Sequence, residues 1–417
     1  MAINDDKWKI LFERHNIVTI VAKKGHFDIT AEQIKTVREP RLMCKMDFKQ
    51  SVAKPFKDND LSILAIKNGL YRIAKTSPFF EIDVGHIGNI PITDFQLPTF
   101  IETLHFENIT SESQALDAAV ASGMLNTLLE EDSFLTVRGR RYTSAMEINI
   151  KRNDSDGLQP YPISSVQIEV DGGYEGKSVL ALIEAKMGTA DNMNMRQLVY
   201  PHIHFSKQTK KTVKTYVMFY ETGSLFTFIP MLIENDIPSL EYTNAVRYRL
   251  IESEASDEPI VPTPVAKFQL PKTGNGAPFP QADDFSKVIY GLLKLGESQP
   301  ISKQELFGNF DLDPRQFDYY FNALRWLGLA EQEGRGGDCI LTDEGEYLFS
   351  VSEKNRISLL YDILRSDPLE LEMLTISPSE YTPRLLTKNN MSGSTPARRK
   401  STIVQWDNYL RSFSRLT

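Results

Sequence analysis

The chain has 417 residues, a net charge of −8, 41% hydrophobic residues and 24% charged ones. That is long enough for two or three domains with separate cores, and too apolar for a disordered chain. Two cysteines, Cys44 and Cys339, lie far apart with no Cys or His at metal spacing, which excludes a zinc motif and fits a reducing cytosol.

No apolar run approaches the roughly 20 residues of a membrane helix. The opening Met-Ala-Ile-Asn-Asp-Asp-Lys is too polar for a signal peptide, so a cytoplasmic location without membrane partners is expected. Residues 1–97 are expected to form a small α+β unit. Thr30-Ala-Glu-Gln33 opens like a capped helix, and Leu61–Ala74 reads as a hairpin turning at Asn68-Gly69. Between Lys23 and Lys57 stand nine Lys/Arg against four Asp/Glu, among them Arg38, Arg41 and Lys45. A charge run of this kind is either a solvated face or a row of phosphate contacts.

Residues 98–252 carry the most informative stretch. Ser111–Leu129 predicts an Ala-rich helix beginning near Glu112, whose charge suits a first turn. Residues 166–170 and Val179–Ile183 predict two strands joined through Gly172–Gly176, with Asp171 closing the first. Period-two alternation then puts Glu184 and Lys186 on one face and Ala185 on the other. Two carboxylates and an ammonium meet where alternation otherwise calls for apolar residues. Carboxylate oxygens suit Mg²⁺, and a metal offsets charge on a phosphoryl oxygen. A nearby lysine can orient or deprotonate an attacking water. The same triplet also occurs as an ordinary surface ion pair. Asn192–Tyr200 predicts a helix stopped by Pro201, and Val213–Tyr220 and Ser224–Pro230 predict further strands. His202 and His204 lack further ligands and read as structural.

Asp171, Glu184 and Lys186 in this setting resemble the PD-(D/E)xK nuclease core, although Val170 stands where the family often has Pro. The resemblance implies metal ligation by Asp171, Glu184 and the Ala185 carbonyl, with Lys186 on the water. It places Arg196 and Gln197 near the metal or the scissile phosphate, and makes Glu112 a further catalytic candidate. Arg38-Glu39-Pro40-Arg41-Leu42-Met43, Ser111-Glu112-Ser113-Gln114-Ala115, Val137-Arg138-Gly139-Arg140 and Gln167–Gly176 together resemble a group of prokaryotic type II restriction enzymes. That similarity implies Mg²⁺-dependent cleavage of double-stranded DNA, a possible homodimer, and a cognate DNA methyltransferase encoded nearby.

Residues 253–284 are rich in Pro and Gly and read as a linker. Residues 285–350 follow a helix–helix–helix–wing order resembling a winged helix. Ser302 and Glu305 form a capping box, and Asp313-Pro314 opens the third helix. Arg315, Gln316, Asn322 and Arg325 are the base or phosphate candidates on that helix, with Arg335 at the wing tip. Residues 351–417 predict a helical end, with helices at 383–389 and 394–413. Arg398, Arg399 and Lys400 lie in the first turns of the second, while Trp406 and Leu410 face a core. Lys210 and Lys211 belong to a third basic run. The expectation is therefore a mixed α/β protein: a PD-(D/E)xK restriction-endonuclease-like core between an N-terminal α+β unit and a C-terminal DNA-binding region. The rival readings are a repair or modification-dependent nuclease on the same fold, and a non-enzymatic winged-helix regulator.

Overall fold

Trp8, Leu11 and Phe12 recur at helical spacing, giving the first helix an apolar stripe. In the computed structural model of the chain all three are buried. The structure describes residues 3–104, 108–221, 223–234, 237–251, 271, 273–274, 277–308, 310, 312–332, 334, 336–366, 368–375 and 395–414. The fold is mixed α/β, in two compact units. The first comprises Met1–Thr93, Ala119–Phe219 and Phe226–Tyr248; the second comprises Asp94–Ala118, Tyr220–Leu225 and Arg249–Thr417. Among the described residues no helix is long and apolar enough to cross a membrane.

The first unit begins with α1 (Ile3–Arg14), α2 (Ile17–Lys24), β1 (His26–Thr30), α3 (Ala31–Lys35), α4 (Pro40–Cys44), α5 (Lys54–Lys57), β2 (Ser62–Lys67) and β3 (Leu70–Ala74). The strands form an antiparallel sheet in the order β1-β3-β2. As expected, the β2–β3 turn falls at Asn68-Gly69, where Gly69 has φ 72°. The Thr30 capping box also forms: Gln33 Oε1 accepts the Thr30 N–H at 2.9 Å and Thr30 Oγ1 accepts the Gln33 N–H at 3.2 Å. Trp8 packs edge-on against Phe56 with ring centroids 4.7 Å apart, at the centre of an apolar cluster drawn from residues 8–73.

A second core starts well before the expected boundary at residue 97. Phe80, Ile82 and Ile87 already belong to it. The elements that follow in the chain are β4 (Phe79–Glu81), α6 (Val84–Ile87), β5 (Ile92–Gln96), α7 (Glu112–Ala121), α8 (Met124–Leu129), β6 (Phe134–Tyr142), β7 (Met146–Lys151), β8 (Leu158–Ile163), β9 (Gln167–Glu175), β10 (Val179–Met187), β11 (Asn192–Asn194), α9 (Arg196–Ser206), β12 (Thr212–Glu221), β13 (Leu225–Glu234), β14 (Ile237–Leu240) and β15 (Val246–Ile251), with parts of β5, α7, β12, β13 and β15 falling in the second unit. The main sheet has eight strands, in the order β5-β15-β13-β12-β10-β9-β6 with β14 on β13. Strand β10 is central. Its residues are buried on both faces, which is why it reads as an unbroken apolar run.

Several expected elements differ. The Ser111–Leu129 helix is two helices, broken at Gly123 with φ 82°. Asn192–Asn194 is a strand paired with β4, not the first turn of a helix. The helix starts at Arg196 and continues through Pro201 to Ser206. Burial of Leu198, Val199, Tyr200 and Phe205 on both sides of the proline outweighs the one backbone hydrogen bond it removes. Strand β9 continues to Glu175, so Asp171 lies within the strand and the turn falls at residues 176–178.

Gly172 and Gly173 therefore serve close approach rather than chain reversal. A Cβ on Gly172 would stand 2.6 Å from the Tyr174 ring, and one on Gly173 would stand 2.6 Å from Val137 Cβ. The turn itself is held by Glu131, whose carboxylate accepts the backbone N–H groups of Lys177 at 2.9 Å and Val179 at 2.9 Å, and the Ser178 hydroxyl at 3.0 Å.

In the second unit follow α10 (Phe285–Ser298), α11 (Lys303–Phe307), a 3-10 turn at Pro314–Gln316, α12 (Phe317–Trp326), β16 (Ala330–Gln332), β17 (Cys339–Leu341), α13 (Asp343–Ser350), α14 (Glu353–Ser366), α15 (Pro368–Thr375) and α16 (Thr395–Ser414). The expected helix–helix–helix–hairpin order is present, and Ile301 bridges Cys339 as a third strand position. Ser302 caps α11 with Glu305. Trp406 of α16 donates to the Ala282 carbonyl at 2.7 Å and packs on Phe285 and Trp326, at 4.7 and 6.2 Å between centroids. Residues 285–350 and 351–417, expected as separate regions, thus share one core. Most of the expected linker (252–270), the helix at 383–389 and Arg335 lie outside the described residues.

Replacing Gly173 with Ala forces Val137 or the β6–β9 pairing to shift. We expect Gly173→Ala to destabilise the protein by about 1–3 kcal/mol, the usual penalty for overpacking, read as a lower urea midpoint with an unchanged slope.

Candidate active site

Strand β10 delivers the central groups. It pairs antiparallel with β9 from Leu180↔Glu175 to Ile183↔Gly172. Asp171 and Glu184 are the next residues beyond that last pair on their two strands. At that step the Ala185 N–H is bonded by a side chain: Asp171 Oδ2 accepts it at 2.9 Å. On its other edge β9 carries a bulge. Val137 pairs with Gly173 and Gly139 with Val170, so Asp171 and Gly172 together oppose the single residue Arg138. Bulges re-aim side chains next to active sites. Arg138 Nε donates to the Asp171 carbonyl at 3.1 Å.

Glu184 is a carboxylate with only 8% exposure. Its Oε1 accepts Lys186 Nζ at 2.6 Å and Gln197 Nε2 at 2.5 Å. Leu180 and Leu182 precede it at period two and pack in the same apolar cluster as Leu198 and Val199 of α9. The helix thus covers the strand and projects Gln197 from its first turn. The Gln197 Oε1 is buried and has no hydrogen-bond partner. Next to it, Arg196 Nη2 donates to Asp47 Oδ1 at 2.7 Å. Burial works to raise the Asp47 carboxyl, but the charges of Arg196, Lys45 and Lys186 outweigh it and hold it below the usual carboxylate range. Burial pushes the nearby Cys44 thiol up to about 12, against the pull of Arg196, so it is a neutral packing group.

The expected set is therefore brought together at Asp171, Glu184, Ala185, Lys186 and Gln197. Glu112 belongs to the second unit, where it begins α7 and its charge, after burial, helps raise the Tyr290 hydroxyl. Asp47, Arg138 and Glu131 were not expected. Asp47 leaves little local signal, because apart from Lys45 its partners Asn194 and Arg196 lie far along the chain. The alternating buried Asn192 and Asn194 are the nearest trace of it.

Among the described residues no three or more His, Cys, Asp or Glu side chains group closely enough to hold a metal ion by themselves. The donor set is two carboxylates, the Ala185 carbonyl and the orphaned Gln197 oxygen. That composition fits a hard cation that keeps most of its waters and takes one or two carboxylates from the protein.

The basic candidates behave differently from one another. Arg41 and Lys210 are exposed, Arg38 donates to Asn4, and Lys45 lies 3.8 Å from Asp47. Lys211 is part of the fold: its Nζ bonds Glu175 at 2.6 Å and the Gly176 carbonyl at 2.7 Å. At the start of α12, Arg315 pairs with Asp313 at 3.0 Å and Gln316 accepts the Asp313 N–H at 2.8 Å. Arg325 donates to Asn322 at 3.2 Å. On α16, Arg399 donates to the Pro280 carbonyl at 3.3 Å and Lys400 is half-buried. Arg398 also falls on α16, and its side chain lies outside the described residues.

Family models match three stretches of the chain, each described as a domain of unknown function: DUF6996 over residues 5–73, DUF6997 over 76–249 and DUF7226 over 287–415. The junction at 73/76 falls at the end of β3, although Leu64 and Ile66 of β2 already pack in the second core, and 287–415 takes in most of α10 and the elements through α16. The chain is also similar to "Uncharacterized protein MJ0241" of Methanocaldococcus jannaschii, 36% identical over 74 residues, which is 18% of this chain and 51% of that protein. The chain thus spans about half the length of the curated relative it matches. No solved structure matches.

His202 and His204 sit on α9 and are structural. His202 Nδ1 is 3.0 Å from Thr215 Oγ1, and His204 Nδ1 accepts the Ser144 N–H at 2.9 Å. Burial holds both below the usual imidazole range. The unfolded chain therefore takes up protons first as pH falls below about 6.5, and the stability these neutral rings contribute is present above that value and lost below it. We expect the thermal midpoint to drop between about pH 7.5 and about pH 5.5, and the drop to shrink in His204→Gln.

Proposed function

We propose that this chain is a Mg²⁺-dependent endonuclease with a PD-(D/E)xK core, acting on double-stranded DNA as a type II restriction enzyme. One observation carries the reading. Asp171 on β9 accepts the Ala185 N–H beside Glu184 on the adjacent antiparallel strand, Lys186 donates to Glu184, and the next helix donates Gln197 to the same Glu184 oxygen. A surface ion pair does not require a carboxylate that is only 8% exposed, nor a second carboxylate bonded to the next backbone N–H of the same strand.

Asp171, Glu184 and the Ala185 carbonyl would hold Mg²⁺, which when bound supplies charge for a phosphoryl oxygen and acidifies water. The remaining roles belong to the chain itself. Gln197 and Lys186 fix the Glu184 carboxylate in one orientation, so its geometry is preset before substrate arrives. Lys186 Nζ positions the attacking water and donates to the negative charge that develops on the phosphate. Hydrolysis breaks one P–O bond, leaving a 5′-phosphate and a 3′-hydroxyl. The hairpin-bearing helical unit and the basic stretch around Arg38–Lys57 supply the contacts to the duplex, and a second copy would make the second cut. A cytoplasmic prokaryotic setting with a cognate methyltransferase follows from this reading.

Incubation of unmethylated plasmid with the protein should yield discrete fragments in Mg²⁺ and none in EDTA. Lys186→Ala should slow cleavage by about 10²–10⁴-fold, the range for losing a positioned proton-transfer group, while binding the same DNA. Cutting by Lys186→Ala at the wild-type rate rejects the assignment.

A further inference from the structure

Segment 45–50 of the N-terminal module is bonded tightly to the strand that leads into α9. Asn194 donates its backbone N–H to the Asp47 carbonyl at 2.7 Å and its side chain to the Met46 carbonyl at 3.0 Å. Asn192 accepts the Lys49 N–H at 2.6 Å and donates to Gln50 Oε1 at 3.1 Å. Both asparagines are almost wholly buried, at 3% and 2% exposure. A buried amide is retained only when its donors and acceptors are met, so this clamp fixes where residues 46–50 lie. It sets the Asp47 carboxylate against Arg196, the first residue of α9. Gln197 is the next residue.

We propose that Asp47 is a positioning residue for the reaction at Glu184, and that it makes the N-terminal module part of the active site. The inference rests on the nuclease reading. The Asp47–Arg196 pair fixes the first turn of α9, and with it the direction in which Gln197 reaches Glu184. Asp47 also adds a negative charge beside two cations, Arg196 and Lys186, that both act on Glu184. Neutralising it would leave the Arg196 guanidinium to seek another carboxylate, and Glu184 is the one whose charge already acts on it. The preset orientation of Glu184 would then be lost. Lys45 and Lys49 are carried on the same short segment, with side chains 66% and 45% exposed. A duplex phosphate bound by them would therefore press on the element that holds the catalytic helix.

Asp47→Asn keeps shape and removes charge. With saturating plasmid in Mg²⁺, well below the thermal midpoint, single-turnover cleavage should fall at least about tenfold, the scale expected when a catalytic group is slightly displaced. DNA affinity should stay within about twofold and circular dichroism should be unchanged, because Asp47 does not itself hold substrate. Asp47→Glu should recover part of the rate. In a double-mutant cycle the effects of Asp47→Asn and Gln197→Ala should be non-additive. Wild-type cleavage rates in Asp47→Asn, or fully additive effects with Gln197→Ala, would overturn the positioning role while leaving the nuclease intact. A wild-type protein that cuts no plasmid in Mg²⁺ sinks both proposals.

Discussion

A carboxylate inside a strand that is buried on both faces is the constraint from which the rest of the first unit follows. Leaving Glu184 ionised there without partners would be costly, because desolvating a charge outweighs most single contacts. Lys186 Nζ and Gln197 Nε2 both donate to Oε1 and offset that cost. Lys186 comes with the strand itself, two positions on. Gln197 has to come from elsewhere, so α9 must begin where it does and lie along Leu180 and Leu182. That start is fixed by Arg196 on Asp47, and Asp47 is fixed by Asn194. The requirement thus passes from one acid in the middle of a sheet to a loop of the N-terminal module.

The local features were legible in the sequence because local physics decides them. Asn68-Gly69 turns, Thr30 and Ser302 cap, and Glu184-Ala185-Lys186 alternates along a strand, all without help from distant residues. The misreadings share the opposite cause. Gly172-Gly173 has the composition of a turn. Its glycines instead admit the Tyr174 ring and the Val137 side chain, and a neighbouring strand is not visible in a local window. Asn192–Asn194 looks continuous with the helix that follows it, yet it is a strand. Its partner Phe79–Glu81 lies more than a hundred residues earlier. Pro201 signals a helix end on propensity, and burial of the surrounding turn overrides that signal.

The candidate cluster is legible in the sequence only in part. Asp171, Glu184, Lys186 and Gln197 are chemically conspicuous; the pairing of β9 and β10 draws the first three together, and α9 adds Gln197. Asp47 sits in a basic stretch and looks like one of its few counter-charges. Lys211 shows the reverse error: it stands in a basic run, yet it holds the β9–β10 turn through Glu175 and Gly176. A charged side chain in a sequence is a donor or an acceptor in search of geometry, and only the fold determines whether its partner is the protein or something outside it.

The indole of Trp406 lies between Phe285 and Trp326 and bonds the Ala282 carbonyl, so the last helix completes the core of the helix–helix–helix–hairpin region. The sequence from Pro280 to Trp406 must therefore be inherited together. A recombination event joining this wing to a foreign tail would leave an aromatic face open to water, a surface that invites aggregation. Exchange of this region between proteins is confined to junctions before Pro280.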